Sequence, residues 1–169
     1  MYNIIKFLEN AVKYIRIKFK ILYWKLKYGN RIKFGKNVRF RKRFQINMSK
    51  SGILTIGDRT SFNNDCSINC HKMIKIGNDN MFGENVKIYD HNHVFNNKNI
   101  DMKRTFTERE VCIGNENWFG TNCIILSKTK IGNHNVFSSN TVINDTFKDD
   151  LLIQSKSIIN CEKIVYKGE

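Results

Sequence analysis

The chain has no proline, and its first fifty residues hold a single acid, Glu9. Without proline, no segment reads as a polyproline stretch or a proline-kinked helix. The five cysteines, Cys66, Cys70, Cys112, Cys123 and Cys161, are odd in number and include no C-x-x-C pair. They therefore frame neither a paired-cysteine metal knuckle nor a complete disulfide scaffold. No apolar run approaches the length needed to span a bilayer. The N-terminus lacks the uncharged apolar stretch and the small-residue cleavage site of a secretory signal. These absences point to a reduced, cytoplasmic protein whose thiols pack as small apolar residues.

What is present is unevenly spread. A chain of 169 residues fits one domain with a small appendage. Residues 1–50 carry 15 of the 29 lysines and arginines, hence the whole net charge of +14, while the rest balances 14 basic against 14 acidic side chains. A polycationic head on a neutral body implies an anionic partner for the head alone. Nothing besides charge fits nucleic acid, because no aromatic RNA platform and no DNA-reading motif accompanies it.

The body is periodic. Large apolar residues fall six apart at Ile113, Phe119, Ile125, Ile131, Phe137 and Ile143, again at Ile56, Phe62 and Ile68, and again at Ile76, Phe82 and Ile88. Glycine often follows, as at Gly57, Gly77, Gly83, Gly114, Gly120 and Gly132, and a small or medium residue stands four places on. Three hexads make eighteen, and four such blocks align: 56–73, 76–93, 113–130 and 131–148. A helix cannot use a strict period of six, since its apolar positions would rotate around the axis at ~100° per residue. A coil of three short strands and three corners can, because every sixth side chain then points inward. Glycine and asparagine would supply the left-handed corners. Coils stacked ~4.8 Å apart would bury one another's apolar triads. The expected fold is an all-β solenoid.

The repeat breaks twice. Residues 94–112, "VFNNKNIDMKRTFTEREVC", lack the period and read as a loop ejected directly after "DHNH" (90–93); long loops in compact folds are usually functional. Residues 2–28 carry a helical stripe of Ile4, Leu8, Ala11, Ile15, Phe19, Leu22 and Leu26 with lysines and arginines elsewhere around it, although "IRIKFKI" (15–21) also alternates like a strand. The expected division is a basic amphipathic helix over 1–30, the solenoid over 31–153, and a tail over 154–169. The basic segment, residues 1–50, fits peripheral contact with an anionic membrane; the helix also fits a cap on the open end of the solenoid. The two roles are compatible.

The I-G-x-x-x-x hexads, the loop ejected after a histidine and "IGNENWFGTNCIIL" (113–126) resemble the hexapeptide-repeat acyltransferases over roughly residues 50–148. The D-H-N-H variant is similar to O-acetyltransferases of capsule, O-antigen and exopolysaccharide pathways. The resemblance implies a left-handed parallel β-helix, where the usual crossover rule would favour the opposite hand. It also implies a homotrimer, acetyl-CoA as cosubstrate and a sugar or glycan acceptor. It puts His93 in the place of the catalytic histidine of "T-x-H-P", and Asn63, thirty residues earlier, facing the acceptor. Trp118 matches the tryptophan of "N-V-W-I-G", followed by Gly120 and Thr121, where a backbone N–H meets the thioester carbonyl. Ser138, Ser139 and Thr141 occupy the stretch beside the pantetheine arm. The family's C-terminal "G-N-P-A-K" is absent; "IQSKSIINCEKIV" (153–165) stands there, with Lys163 as the replacement for the basic residue that meets the CoA 3′-phosphate.

Acetyl transfer to a hydroxyl requires a base for its proton and a donor for the oxyanion. Neutral imidazole suits the first task, which assigns His93, and a backbone N–H beside Thr121 suits the second. His91 and His71 each stand fifteen places into their coils and should stack one rung apart, close enough to discourage each other's protonation; His91 is then either part of a polar ladder on an outer face or a direct catalytic residue beside His93. Asp90 either orients an imidazole or caps the turn. Cys66 and Cys123 fall at inward positions, and His134 at the surface. Two other enzyme readings stand beside O-acetylation: N-acetylation of an amine, and a γ-carbonic-anhydrase-like zinc site from His71, His91 and His93, although the H-x-x-x-x-H spacing of that class is missing. A non-catalytic solenoid is the fourth.

Overall fold

The computed structural model describes residues 2–155. Its body is a left-handed parallel β-helix of about six turns, preceded by one helix. Each coil gives one short strand to each of three parallel sheets. Face A is built from 32–34, 53–56, 73–76, 111–113, 130–131 and 146–147. Face B takes 39–40, 61–62, 81–82, 118–119, 136–137 and 152–153, and face C takes 45–48, 67–70, 87–89, 124–125 and 142–143. Every hexad leader from Ile56 to Ile143 is buried, and so are Thr60, Cys66, Asn80, Val86, Asn117, Cys123, Thr129, Asn135 and Thr141 four places on. Like sits on like along the axis: the rings of Phe62, Phe82, Phe119 and Phe137 stack at 4.5, 4.6 and 4.9 Å between centroids. A buried amide ladder runs beside them, Asn117 Nδ2 donating to Asn80 Oδ1 at 3.0 Å and Asn135 Nδ2 to Asn117 Oδ1 at 3.1 Å.

The corners meet the expectation for asparagine, at Asn85, Asn122 and Asn140, and depart from it for glycine. Left-handed φ falls three places after nine of the twelve leaders, on Arg59, Asp65, Asp79, Asn85, Glu116, Asn122, Lys128, His134 and Asn140, none of them glycine, and is missing after Ile68, Ile88 and Ile143. Such residues carry a steric cost. Side-chain bonds between successive coils offset it: Arg59 forks onto Asp79, and Asn85, Asn122 and Asn140 form a ladder at 2.9 and 3.0 Å. The glycines serve close approach instead. A Cβ on Gly120 would stand 2.6 Å from Ser139 N, inside the next coil's backbone.

Helix α1, Tyr2–Tyr28, ends where Gly29 adopts a φ of 62°. It covers the first coil, but through another face than the aliphatic stripe. Trp24 and Tyr28 are buried and Ile17 and Ile21 half-buried, whereas Ile4, Leu8, Ile15, Phe19, Leu22 and Leu26 point outward. The aromatics win because they bring both area and polar reach to a sheet edge. Trp24 meets the edges of Phe40 and Phe44 at 5.2 and 5.6 Å, and Tyr28 Oη donates to Ile46 O at 3.1 Å.

The ejected segment is a hairpin at its root. His91–His93 pairs antiparallel with Phe106–Glu108, and the solenoid resumes at Val111, so the excursion spans 94–110.

Candidate functional site

The corner between faces C and A assembles the histidines. Asp90 follows strand 87–89 and is completely buried. Its two oxygens accept the backbone N–H groups of His71 and Lys72, at 2.7 Å each, and Nδ1 of His91 lies 3.2 Å from Oδ1. A carboxylate accepts only, so the His91 proton sits on Nδ1. His71 and His91, one coil apart, stack face to face at 3.6 Å and 11°. Burial, with the neighbouring His71, lowers the His91 pKa below the ordinary imidazole value, against the pull of Asp90 and Glu108. His91 is therefore neutral near pH 7.

His93 lies two residues further, on the first strand of the hairpin and exposed. Its Nδ1 stands 2.7 Å from the carbonyl of Met102 at the far side of the loop. A carbonyl can only accept, so Nδ1 carries the hydrogen and Nε2 presents a lone pair. That is the protonation pattern a general base needs, fixed by backbone.

Three contributors at this corner escaped the sequence reading. Phe106 sets its ring against His71, His91 and His93 at 4.7, 5.4 and 4.5 Å. Glu108 Oε1 lies 3.3 Å from His71 Nδ1, and Met102 contributes its carbonyl. The first and third residues of "FTE" (106–108) pair with His93 and His91 across the hairpin, but an alternation of three residues is too short to have signalled it. A polar trough of about 440 Å³ on face C, lined by Gln45, Asn47, Ser67, Asn69, Lys87 and Tyr89 among others, ends beside His91, with the Tyr89 ring 6.2 Å from the imidazole.

The remaining residues lie elsewhere. Asn63 stands at the corner between faces B and C, where its Oδ1 accepts from Asn64 N at 2.9 Å. Trp118 is on face B, opposite the histidine corner, and half exposed. Gly120 N–H is engaged with Phe137 O at 2.8 Å, whereas the N–H of Thr121 makes no hydrogen bond among the described residues. Thr141 is buried, its hydroxyl donating to Ser138 O at 2.6 Å, which leaves Ser138 and Ser139 as the accessible part of that stretch. Lys163 and Cys161 lie outside the described residues. Within one chain, then, the histidines form one group and the Trp118–Thr121 edge another. His134 pairs with Glu116 on the surface, and Cys66 and Cys123 are core residues. Among the described residues no three His, Cys, Asp or Glu side chains gather as a metal site, and no helix is long and apolar enough to cross a membrane.

No protein-family model matches the chain. Among solved structures it is similar to a hexapeptide-repeat-containing acetyltransferase from Vibrio cholerae, with 23% identity and a TM-score of 0.61 over 72% of this chain and 67% of that one. A hexapeptide-repeat-containing acetyltransferase from Vibrio cholerae O1 biovar eltor, complexed with acetyl-coenzyme A, matches with 19% identity and a TM-score of 0.63 over 73% of this chain and 66% of that one. A maltose O-acetyltransferase from Clostridium difficile matches with 20% identity over 70% of this chain, at a TM-score of 0.39 too low to bear on the fold. The two Vibrio structures are of one protein, and the chain spans about two thirds of its length. At these identities the likeness is one of architecture: the chain has the coil fold on which those acetyltransferases are built.

Proposed function

We propose that the protein is an acetyl-CoA-dependent O-acetyltransferase that modifies a sugar hydroxyl of a surface-polysaccharide or other glycan precursor, working as a cytoplasmic homotrimer. The observation that carries the reading is His93, whose Nδ1–H is held by the Met102 carbonyl so that Nε2 is free to accept a proton. Support for the cosubstrate comes from the architecture shared with the acetyl-CoA-bound Vibrio enzyme. Support for a sugar acceptor comes from the face C trough, where amides, a hydroxyl and the Tyr89 ring offer hydrogen bonds and a stacking surface next to His91.

In this mechanism His93 Nε2 takes the hydroxyl proton as the acceptor oxygen attacks the thioester carbonyl. The Thr121 N–H, which makes no hydrogen bond among the described residues, donates to the oxyanion that forms. Collapse breaks the C–S bond, and the imidazolium returns its proton to the departing thiolate. Asp90 and His91 fix the corner that aims His93, and Phe106 closes its apolar side. Trp118, Gly120, Ser138 and Ser139 line the cosubstrate's path, with Asn63 at the acceptor. Because His93 stands at the corner between faces C and A, and Thr121, one coil on, at the corner between faces B and C, the reading requires them to meet across a subunit boundary. The base and oxyanion donor would come from different protomers of the trimer.

The test measures acetyl-CoA binding by calorimetry and slow hydrolysis by thiol release, for wild type and His93→Ala. The expected result is retained binding with hydrolysis reduced by about 100-fold or more. Absence of binding by either protein would overturn the cosubstrate assignment. Product analysis after an acceptor screen distinguishes an ester from the amide that N-acetylation would give.

A further inference from the structure

Helix α1 has two apolar faces, and the solenoid uses one. At ~100° per residue, Ile17, Ile21, Trp24 and Tyr28 point toward the first coil, while Ile4, Leu8, Ile15, Phe19, Leu22 and Leu26 centre on the opposite side. That outward side is an arc of about 120° with no charged residue in it. All six of its side chains are more than half exposed, Phe19 at 67% and Leu26 at 78%. Lys18 and Lys25 flank one border of the arc, Arg16 and Lys27 the other. Between the helix and the first coil runs a cleft of about 1490 Å³ lined by Arg16, Lys18, Lys36, Arg39, Arg41 and Lys42, with Asp58 the only acid among the described residues that line it.

We infer that this surface docks on an anionic lipid bilayer, with α1 lying in the plane of the interface. Its outward arc enters the acyl boundary, and the flanking cations and the cleft take lipid phosphates. Charge selects this occupant over a second copy of the chain. Two copies meeting stripe to stripe would oppose cationic borders, with Glu9 the only acid in the first fifty residues to relieve them. Shape selects it over a helix-binding protein groove. The outward face runs the length of a helix of 27 residues, about 40 Å, as a broad band rather than a narrow line of anchors. An uncharged aliphatic and aromatic band edged by lysine and arginine is the pattern of a helix that lies on a membrane. The inference does not rest on the acetyl-transfer reading.

The test uses the full chain carrying His93→Ala, so that lipid binding is read independently of chemistry. Sedimentation with phosphatidylcholine vesicles is compared with vesicles that also contain phosphatidylglycerol. Binding is expected only with the anionic lipid and should weaken as salt is added. A Phe19→Ser, Leu22→Ser, Leu26→Ser chain should bind at least about 10-fold more weakly, with thermal stability and solution mass unchanged, because all three side chains lie more than half exposed on the side of α1 away from the first coil. In a Phe19→Trp chain, tryptophan emission should shift to the blue on anionic vesicles. Three outcomes would overturn the inference: no binding to anionic vesicles, binding that the triple substitution leaves intact, or a triple variant whose mass falls because the stripe joined copies of the chain.

Discussion

A fully buried aspartate satisfied by two backbone N–H groups is a fixed post, and the histidine chemistry at this corner is hung from it. His91 lies against Asp90 yet is held toward neutrality by burial and by the stacked His71. Its folded-state pKa is therefore depressed, so as pH falls through the ordinary value of 6.5 the unfolded chain takes up the proton first. Unfolding then binds more protons than folding retains, and stability declines on the acid side of that value. Melting temperatures at about pH 7.5 and about pH 5.5 should differ less in His91→Asn than in wild type, since the substitution removes the depressed imidazole. An unchanged difference would locate the titration elsewhere. Thiols follow the same logic with the opposite sign: burial pushes Cys66 up to about 11 and Cys70 up to about 12. Both should escape iodoacetamide in the native protein at neutral pH and react once it is unfolded, as peptide mass mapping would read. The His71–His91 stack could be read from the sequence because both stand fifteen places after the first residue of their coils. Phe106 could not, since a three-residue alternation inside an aperiodic stretch carries no period to detect.

Among the elements, the amide ladder binds coil to coil more specifically than the apolar core does. Asn117 is its middle rung: Nδ2 donates to Asn80 Oδ1 and Gly132 O at 3.0 Å, and Oδ1 accepts from Asn135 N and Nδ2. Asn117→Ala strands the Gly132 carbonyl and the Asn135 amide in a dry interior, which should cost about 3 kcal/mol in a urea titration. A loss under about 1 kcal/mol would mean that water enters the coil. The hexad pattern placed this residue inside, since it fixes both the leader and the fourth position. It gave no hint that the left-handed corners would avoid glycine, because what stabilises them is the residue one coil away, twenty or so positions distant in sequence. The docked face of α1 was hidden for a related reason. Two apolar faces on one helix are equivalent until Trp24 finds Phe40 and Phe44.

A site shared between protomers can act only in the assembled molecule. With His93 and Thr121 at different corners of successive coils, a protomer alone would hold half of the machinery. Static light scattering should give about 60 kDa, three times 19.9 kDa. Trimers reassembled from equal amounts of His93→Ala and Trp118→Ala chains, each inactive alone, should recover about a quarter of wild-type hydrolysis, because a quarter of the boundaries pair two intact edges. No recovery would put both groups in one protomer. The segment between His93 and Val111 leaves the coil and returns without disturbing it: Ile74 pairs with Val111, Lys75 with Cys112 and Ile76 with Ile113, as though nothing intervened. The scaffold is thus indifferent to what is threaded through that gap. Evolution, or an engineer, can exchange the hairpin as a cartridge and retune which molecule is admitted, while the chassis that positions the reaction keeps its alignment.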